Sequence, residues 1–434
     1  MQKKTGFMIA APSSGSGKTV MTLGLLRALR DVGVDIRGAK AGPDYIDPKF
    51  HEAACGRESA NLDAWAMRPE LIANLVSGDE MLVVEAAMGL FDGAADGTGS
   101  AADLAVQLDL PVVLVVDAAR QSHSIAALVF GFVNFRPEVR VAGVILNRVG
   151  SDRHVAMLRE ALMAIGVRVF GSVKRDPRLE LPSRHLGLVQ AQERVDLENF
   201  MAEAGQVIAT SVDYDALLSL QRHEDAVEKP SPFPPLGQRM AVARDEAFSF
   251  LYPHLLKGWQ EEGAEIVFFS PLADEPVPTS CDAVFLPGGY PELHGHRLAA
   301  ATMFKNSLEE AARRSAVIYG ECGGYMALGD ALIDANGETH EMASLLPLTT
   351  SFADRKPLLG YRNARLLQPL GAIAAGRICA AHEFHYSTVS QQGDADPLFE
   401  AKDAHGNDLG PMGLQRDGVS GSYLHIIDLR AEAE

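Results

Sequence analysis

Two hydrophobic periods alternate along the first 225 residues. The runs GFMIAAP, MLVVEA, LPVVLVVDA and VRVAGVILNRV are short, nearly all apolar and rich in β-branched residues. Such runs mark strands buried on both faces of a parallel sheet. Between them, TVMTLGLLRALRDVG (closed by Gly33) and HVAMLREALMAIG space their apolar positions as amphipathic helices do. DIRGAKA and VRVFGSV complete the strands. Strands separated by helices predict a doubly wound α/β domain over residues 1–225, with ligands at the carboxyl ends of its strands.

The stretch 226–238, AVEKPSPFPPLGQ, carries four prolines in thirteen positions and reads as a linker. The pattern then restarts with RMAVAR, a helix containing FSFLYPHLLKGWQEEG, AEIVFFSPL, DAVFLPGG, a helix rich in Ala and Arg, and AVIYGECGG. A second α/β domain is expected over 239–434, less regular and partly antiparallel after residue 340.

The charge balance narrows the partners. With 39 Lys plus Arg against 57 Asp plus Glu, the formal net charge is −18. That argues against nucleic acid, where cationic side chains supply most of the affinity. It leaves room for a small anion in a local basic pocket. Cys55, Cys281, Cys322 and Cys379 show no CxxC or metal-type spacing, so a disulfide framework is not expected and a reducing cytoplasmic setting fits. The opening MQKKTGFMIAAP is too short in its apolar run for a signal sequence, and no segment has the length of a membrane span.

The sharpest local signal is APSSGSGKT, Ala11 to Thr19, between an apolar strand and an apolar helix. The backbone of Ser14, Gly15, Ser16 and Gly17 can cradle phosphate oxygens. Lys18 would reach the β/γ-phosphates, and Thr19 would sit on Mg²⁺. Pro12 stands where the strict pattern has glycine. In KAGPDYIDPKFH, Asp44 and Asp47 bracket Tyr45 and Ile46, and Pro43 and Pro48 argue against a helix there. EAAMGLFDG supplies Glu85 past a strand and Asp92 in a glycine-flanked turn. Thr19, Asp44 and Glu85 together offer the hard oxygen ligands that Mg²⁺ prefers. Asp117, ending LPVVLVVDA, reads equally as a second carboxylate of the site or a strand-end cap.

In the second half, AVIYGECGGYMALG reads as strand, tight turn and helix, with Cys322 at the turn. A helix start lowers a thiol pKa, and small neighbours let a nucleophile stand on a sharp elbow. Gly288 and Gly289 of FLPGGYPE follow another strand, where backbone N–H groups can face a developing oxyanion. A cysteine nucleophile needs a base, and His425, His382 and His385 are all candidates.

At this point the chain resembles the cobyrinic or hydrogenobyrinic acid a,c-diamide synthase family along essentially its whole length. The matching blocks, in family order, are APSSGSGKT, KAGPDYIDPKFH, NLDAWAM, EAAMGLFDG, VVLVVDAA, ILNRVGSDRH, LPSRHLGL, VARDEAFSFLY, FLPGGYPELH, GECGGYMALG, GYR, HEFHYS and GSYLHI. The resemblance implies an N-terminal P-loop domain like dethiobiotin synthetase and a C-terminal domain like the class I glutamine amidotransferases. It implies ATP and Mg²⁺ as cofactors, L-glutamine as nitrogen donor and a corrinoid polycarboxylate as acceptor. Amidation would fall on the a- and c-acetates through an acyl phosphate, with ammonia carried along a protected path between the domains. Dimers are common among such enzymes, so a homodimer is expected.

The resemblance also assigns residues. The P-loop and Lys18 would bind ATP, with Thr19, Asp44 and Glu85 at the magnesium positions. Tyr45, Ile46, Asp47 and Asp92 fall where the family affects corrinoid amidation, and Asn147 resembles the adenine-reading position. Cys322 matches the amidotransferase nucleophile and His425 its base. Two features depart from the commonest pattern. Ile427 stands where many class I glutaminases have glutamate, so His425 must be oriented otherwise, with Asp428 a weak candidate. SGKTV also has one threonine where many P-loops have two. The AAPSSGSGKT opening and the compact length lean toward a cobalt-free ring. The alternatives are the same reaction on cobyrinic acid, a sirohydrochlorin-type amidase, a cobyric acid synthase, a P-loop regulatory ATPase and a non-catalytic scaffold.

Overall fold

The computed structural model describes residues 2–180, 183–184, 187–188, 196–224, 229–354 and 356–431. The LPSRHLGL block falls partly outside the described residues, as does part of the proline-rich stretch (226–228). The chain forms two compact units, one of residues 1–65 and 69–230, the other of 66–68 and 231–434.

The first unit is built on β1 (Gln2–Ala10), β2 (Ile36–Ala41), β3 (Ala60–Leu62), β4 (Met81–Glu85), β5 (Val112–Asp117), β6 (Val141–Val149) and β7 (Val169–Lys174). They pair in the order β3-β2-β4-β1-β5-β6-β7, every pair parallel. A short β8 (Gln221–Glu224) adds antiparallel to the start of β1. Val83, Val84, Val113, Leu114 and Val115 have no exposed surface, as strands covered by helices on both faces require. Because β1 is flanked by β4 on one side and β5 on the other, the strand order reverses around it. The loop after β1 therefore opens at the switch point, where such sheets bind ligands.

Helix α1 (Lys18–Asp31) starts at the lysine of the P-loop, with Gly17 as its N-cap. Helix α2 (Asp47–Cys55) corrects the expectation of no helix in this segment. Pro48 lies in its first turn, where the missing N–H would have had no helical partner anyway. Helices α3 (Ala101–Gln107), α4 (Ile125–Asn134), α5 (Asp152–Met163) and α6 (Leu197–Ser211) follow.

In the second unit, β9 (Arg239–Ala243), β10 (Glu265–Phe269), β11 (Ala283–Leu286) and β12 (Val317–Glu321) are parallel neighbours. Helix α7 (Pro253–Glu261) begins later than its apolar pattern suggests. A residue before proline is biased to extended backbone, and Tyr252 adopts φ −81°, ψ 120°. Helix α8 (Thr302–Arg313) and the short α9 (Gly323–Leu328) flank β12 in sequence.

Beyond them, β13 (Leu358–Leu366), β14 (Ile378–His385), β15 (Phe399–Asp403), β16 (Asp408–Met412), β17 (Leu414–Arg416), β18 (Val419–Ser422) and β19 (Leu424–Leu429) form two groups. The larger sheet runs β10-β9-β11-β12-β18-β17, and an antiparallel sheet runs β16-β15-β13-β14-β19. Only Tyr423 separates β18 from β19. The chain thus leaves the sheet that carries β12 and enters the antiparallel one immediately, which brings β19 beside the end of β12.

Candidate functional sites

The P-loop is braced from below. Gly15 and Gly17 take φ of 78° and 95°, the left-handed region that favours glycine. A Cβ on Gly17 would collide with the Asn147 side-chain amide, so the loop tolerates no larger residue there. Asn147 Nδ2 donates to Ser16 O at 2.9 Å, and its Oδ1 accepts from Arg148 N at 2.8 Å. The Asn147 amide keeps one further N–H and one further lone pair beside these partners. Arg148 donates to Gly15 O at 2.9 Å and to Asp117 Oδ2 at 2.6 Å. Asp117 also caps its strand end by accepting from Ala119 N. Ser14 is exposed at the loop tip, and Ser16 is buried, donating to Ser13 O.

Behind the loop lies a buried charge cluster. Thr19 Oγ1 donates to Glu85 Oε1 at 2.6 Å. Lys40 Nζ donates to the same oxygen at 3.0 Å and forms a second ion pair with Asp47. His51 Nε2 contacts Glu85 Oε2 at 2.8 Å, with Ser59 on the other ring nitrogen. Burial disfavours the charged forms of Lys40, Asp47 and Glu85. For Lys40 the Asp47 and Glu85 carboxylates outweigh that cost and raise its pKa. For Glu85, Lys40, His51 and Thr19 outweigh it and hold the carboxyl below its usual range. Asp47 is pushed up by burial and then by the neighbouring Asp44. Lys18 donates to Met88 O and is lowered to about 8, chiefly by burial and then by the Lys40 charge.

Asp44 is a turn former here. Its Oδ1 accepts from Ile46 N at 2.8 Å and, more weakly, from Asp47 N at 3.4 Å. Tyr45 is half-buried and Ile46 packs into the core. Asp92 Oδ2 accepts from Gly89 N at 2.7 Å, holding the turn whose Leu90 N donates to Ala11 O. Thr19 and Glu85 are therefore in contact, and Asp44 and Asp47 join them electrostatically through Lys40. Adjacent hydroxyl and carboxylate oxygens fit a hard divalent cation, with the Lys40 ammonium sharing the Glu85 oxygen.

In the second unit Cys322 stands between β12 and α9 with φ 46° and ψ −100°, a strained backbone for a side chain with a Cβ. Its N–H donates to Ser422 O at 2.8 Å, pinning the turn to β18. His425, on β19, is buried and hydrogen-bonded to the Cys322 thiol. A Cβ on Gly288 would lie 3.3 Å from both ring nitrogens of His425 and closer still to the Cε1 between them, so glycine there lets the PGG loop abut the Cε1 edge of the imidazole. Gly289 N is 3.1 Å from where a Cβ on Gly323 would sit, beside the nucleophile's turn.

The structure separates the three histidines. His382 is opposite His425 across β14 and β19, and its pKa falls to about 3 through burial, with His425 and Arg362 adding to the effect. His385 spends one ring nitrogen on Glu383 and the other on Ser387 O. Asp428 is committed elsewhere, accepting from Arg68 Nε at 3.0 Å and Arg68 N at 2.9 Å. Ile427 is buried and accepts from His254 through its carbonyl.

Comparison with known proteins agrees with two units. Residues 7–189 match the CobQ/CobB/MinD/ParA nucleotide binding domain, and residues 239–433 match the CobB/CobQ-like glutamine amidotransferase domain. Hydrogenobyrinate a,c-diamide synthase of Brucella abortus is 57% identical over 436 residues, covering 99% of each chain. The Rhizobium meliloti protein of the same name is 56% identical over 427 residues, covering 98% of this chain and 99% of its own. The chain belongs to the hydrogenobyrinate a,c-diamide synthase family.

In this family member the nucleotide-binding unit holds two residues that sequence reasoning overlooked, Lys40 and His51. Both occur in KAGPDYIDPKFH, and the signal for Lys40 was a lone cation in the otherwise apolar end of β2. His51 sits on the helix that the prolines had argued against. Among the described residues no helix is long and apolar enough to cross a membrane.

Proposed function

We propose that the protein amidates the a- and c-acetate carboxylates of hydrogenobyrinate, using ATP for activation and glutamine as nitrogen donor. The full-length identity to relatives bearing that enzyme's name carries the reading. The two sites supply chemistry that fits it.

In the amidotransferase unit, Cys322 Sγ attacks the side-chain amide carbon of glutamine and forms a tetrahedral intermediate. Backbone N–H groups of the Gly288–Gly289 turn would meet its oxyanion. His425 gives its proton to the departing nitrogen, leaving ammonia and a γ-glutamyl thioester that water hydrolyses to glutamate. In the nucleotide-binding unit, a corrinoid carboxylate oxygen attacks the γ-phosphorus of ATP, releasing ADP and forming an acyl phosphate. Ammonia then adds to the acyl carbon, phosphate leaves, and the amide remains.

Activation is needed because phosphate is a far better leaving group than the oxide of a carboxylate. The P-loop backbone, Lys18 and Lys40 bring donors and positive charge to the transferring phosphoryl group. Mg²⁺ held by Thr19 and Glu85, with Asp44 nearby, would neutralise charge on the β- and γ-phosphates. Tyr45, Ile46, Asp47 and Asp92 are the residues we assign to corrinoid positioning, on the family resemblance.

The test supplies hydrogenobyrinic acid and cobyrinic acid separately with ATP, Mg²⁺ and glutamine, and follows diamide formation. Preference for the metal-free ring is expected, and preference for the cobalt ring would overturn the substrate assignment. Cys322→Ser is expected to lose glutamine-dependent turnover and to keep amidation with added ammonium salt. Glutamine turnover surviving in that variant would remove Cys322 from the mechanism.

A further inference from the structure

We infer that Glu321 is the positioning residue for His425, doing from β12 what Ile427 cannot do from β19. The inference rests on the reading of Cys322 and His425 as nucleophile and base. Glu321 is only 2% exposed and ends the strand that delivers Cys322. Its Oε1 accepts from Ile426 N at 3.0 Å, which ties the carboxylate to the residue after His425. Its Oε2 lies 3.7 Å from His425 Nδ1, within ion-pair range and longer than a hydrogen bond.

A carboxylate removed from water needs a counter-charge. Among the described residues, the cationic group paired with Glu321 is His425. The other groups facing this pair do not compete for the role. Tyr319 and Cys379 are kept protonated by burial and by the Glu321 charge itself, the Cys379 thiol being pushed up to about 12. His382, across the strand pair, is kept neutral. Burial alone would lower the His425 pKa, yet the Cys322 and Glu321 charges raise it to about 10.

A carboxylate at Nδ1 fixes the ring with its proton on that nitrogen, leaving Nε2 to exchange a proton with the thiol and the leaving amine. The orienting acid thus immediately precedes the nucleophile in sequence instead of following the base. It reaches the base because β12 and β18 are in register, with Glu321 opposite Ser422, three residues before His425.

The test uses full-length Glu321→Gln. Glutamine keeps the volume and the acceptor for Ile426 N and removes the charge. Glutamine-dependent kcat is expected to fall about 10²-fold or more, with a smaller change in KM. Its alkaline limb is expected to move to lower pH, because removing a negative charge beside an imidazolium lowers its pKa. Ammonium-dependent amidation should stay within about twofold, as its machinery is in the other unit.

Glutamine-dependent kcat within about threefold of wild type with an unmoved pH profile would overturn the inference. So would equal loss with both nitrogen donors, which would mark Glu321 as a purely structural carboxylate. Cys322→Ser run in parallel keeps the two readings apart. Glutamine turnover in that variant would sink the nucleophile assignment, whatever Glu321 does.

Discussion

Gly288→Ala tests the amidotransferase geometry with one methyl group. The new Cβ would sit 3.3 Å from both His425 ring nitrogens and under 3.0 Å from the Cε1 between them. Ordinary Cβ contacts begin near 3.4 Å, so the ring or the PGG loop must retreat by something near 1 Å. The loop is held by Phe250 N donating to Gly288 O at 3.0 Å, and the ring by Cys322 and Glu321. A misplacement of about 1 Å in catalytic machinery costs about 10²-fold in rate. That corresponds to about 2.7 kcal/mol of transition-state stabilisation.

Overpacking of a dense site also costs about 1–3 kcal/mol of stability. The assay compares initial rates with glutamine and with ammonium salt on the same preparation. Loss with glutamine alone is expected. Gly131→Ala is the control, since a Cβ there meets nothing within 4 Å. It lies inside α4 and should be neutral or slightly stabilising. A Gly288→Ala enzyme hydrolysing glutamine at the wild-type rate would refute the placement of the loop on His425.

Two predictions concern the nucleotide-binding unit. Lys40→Met leaves Asp47 and Glu85 facing each other without their shared cation, which should cost about 3–5 kcal/mol of that unit's stability. A depressed melting transition, partly recovered by adding Asp47→Asn, is the expected result, and an unchanged transition would contradict the cluster. The second prediction concerns Lys18, whose folded pKa of about 8 lies below the ordinary lysine value of 10.5. The penalty of keeping it charged is fully present below about pH 8 and is relieved as pH rises toward 10.5. ATP phosphates favour the charged form, so Mg-ATP binding at pH 8 should take up about half a proton and at pH 6.5 almost none. Calorimetry in buffers of different ionisation enthalpy reads this directly, and no buffer dependence at pH 8 would count against it.

Local patterns in the sequence carried much of this molecule. The strand runs, the glycine-rich loop entering a helix and the cysteine between a strand and a helix are written within a few residues, because period, backbone freedom and capping are short-range properties. Proline misled at Pro48, where its position within the first turn, and not its presence, decided the outcome. What only tertiary structure decided lies between distant segments. Lys40 and His51 acquire meaning when parallel pairing sets β2 beside β4 and so brings both onto Glu85. Asn147 becomes a brace for the P-loop across 131 positions of sequence. Asp428, three residues from His425, is drawn to Arg68, while Glu321, over a hundred residues away from His425, faces its ring. Sheet register and the alternation of side chains across strands choose among such pairs, and no short stretch of sequence contains both partners.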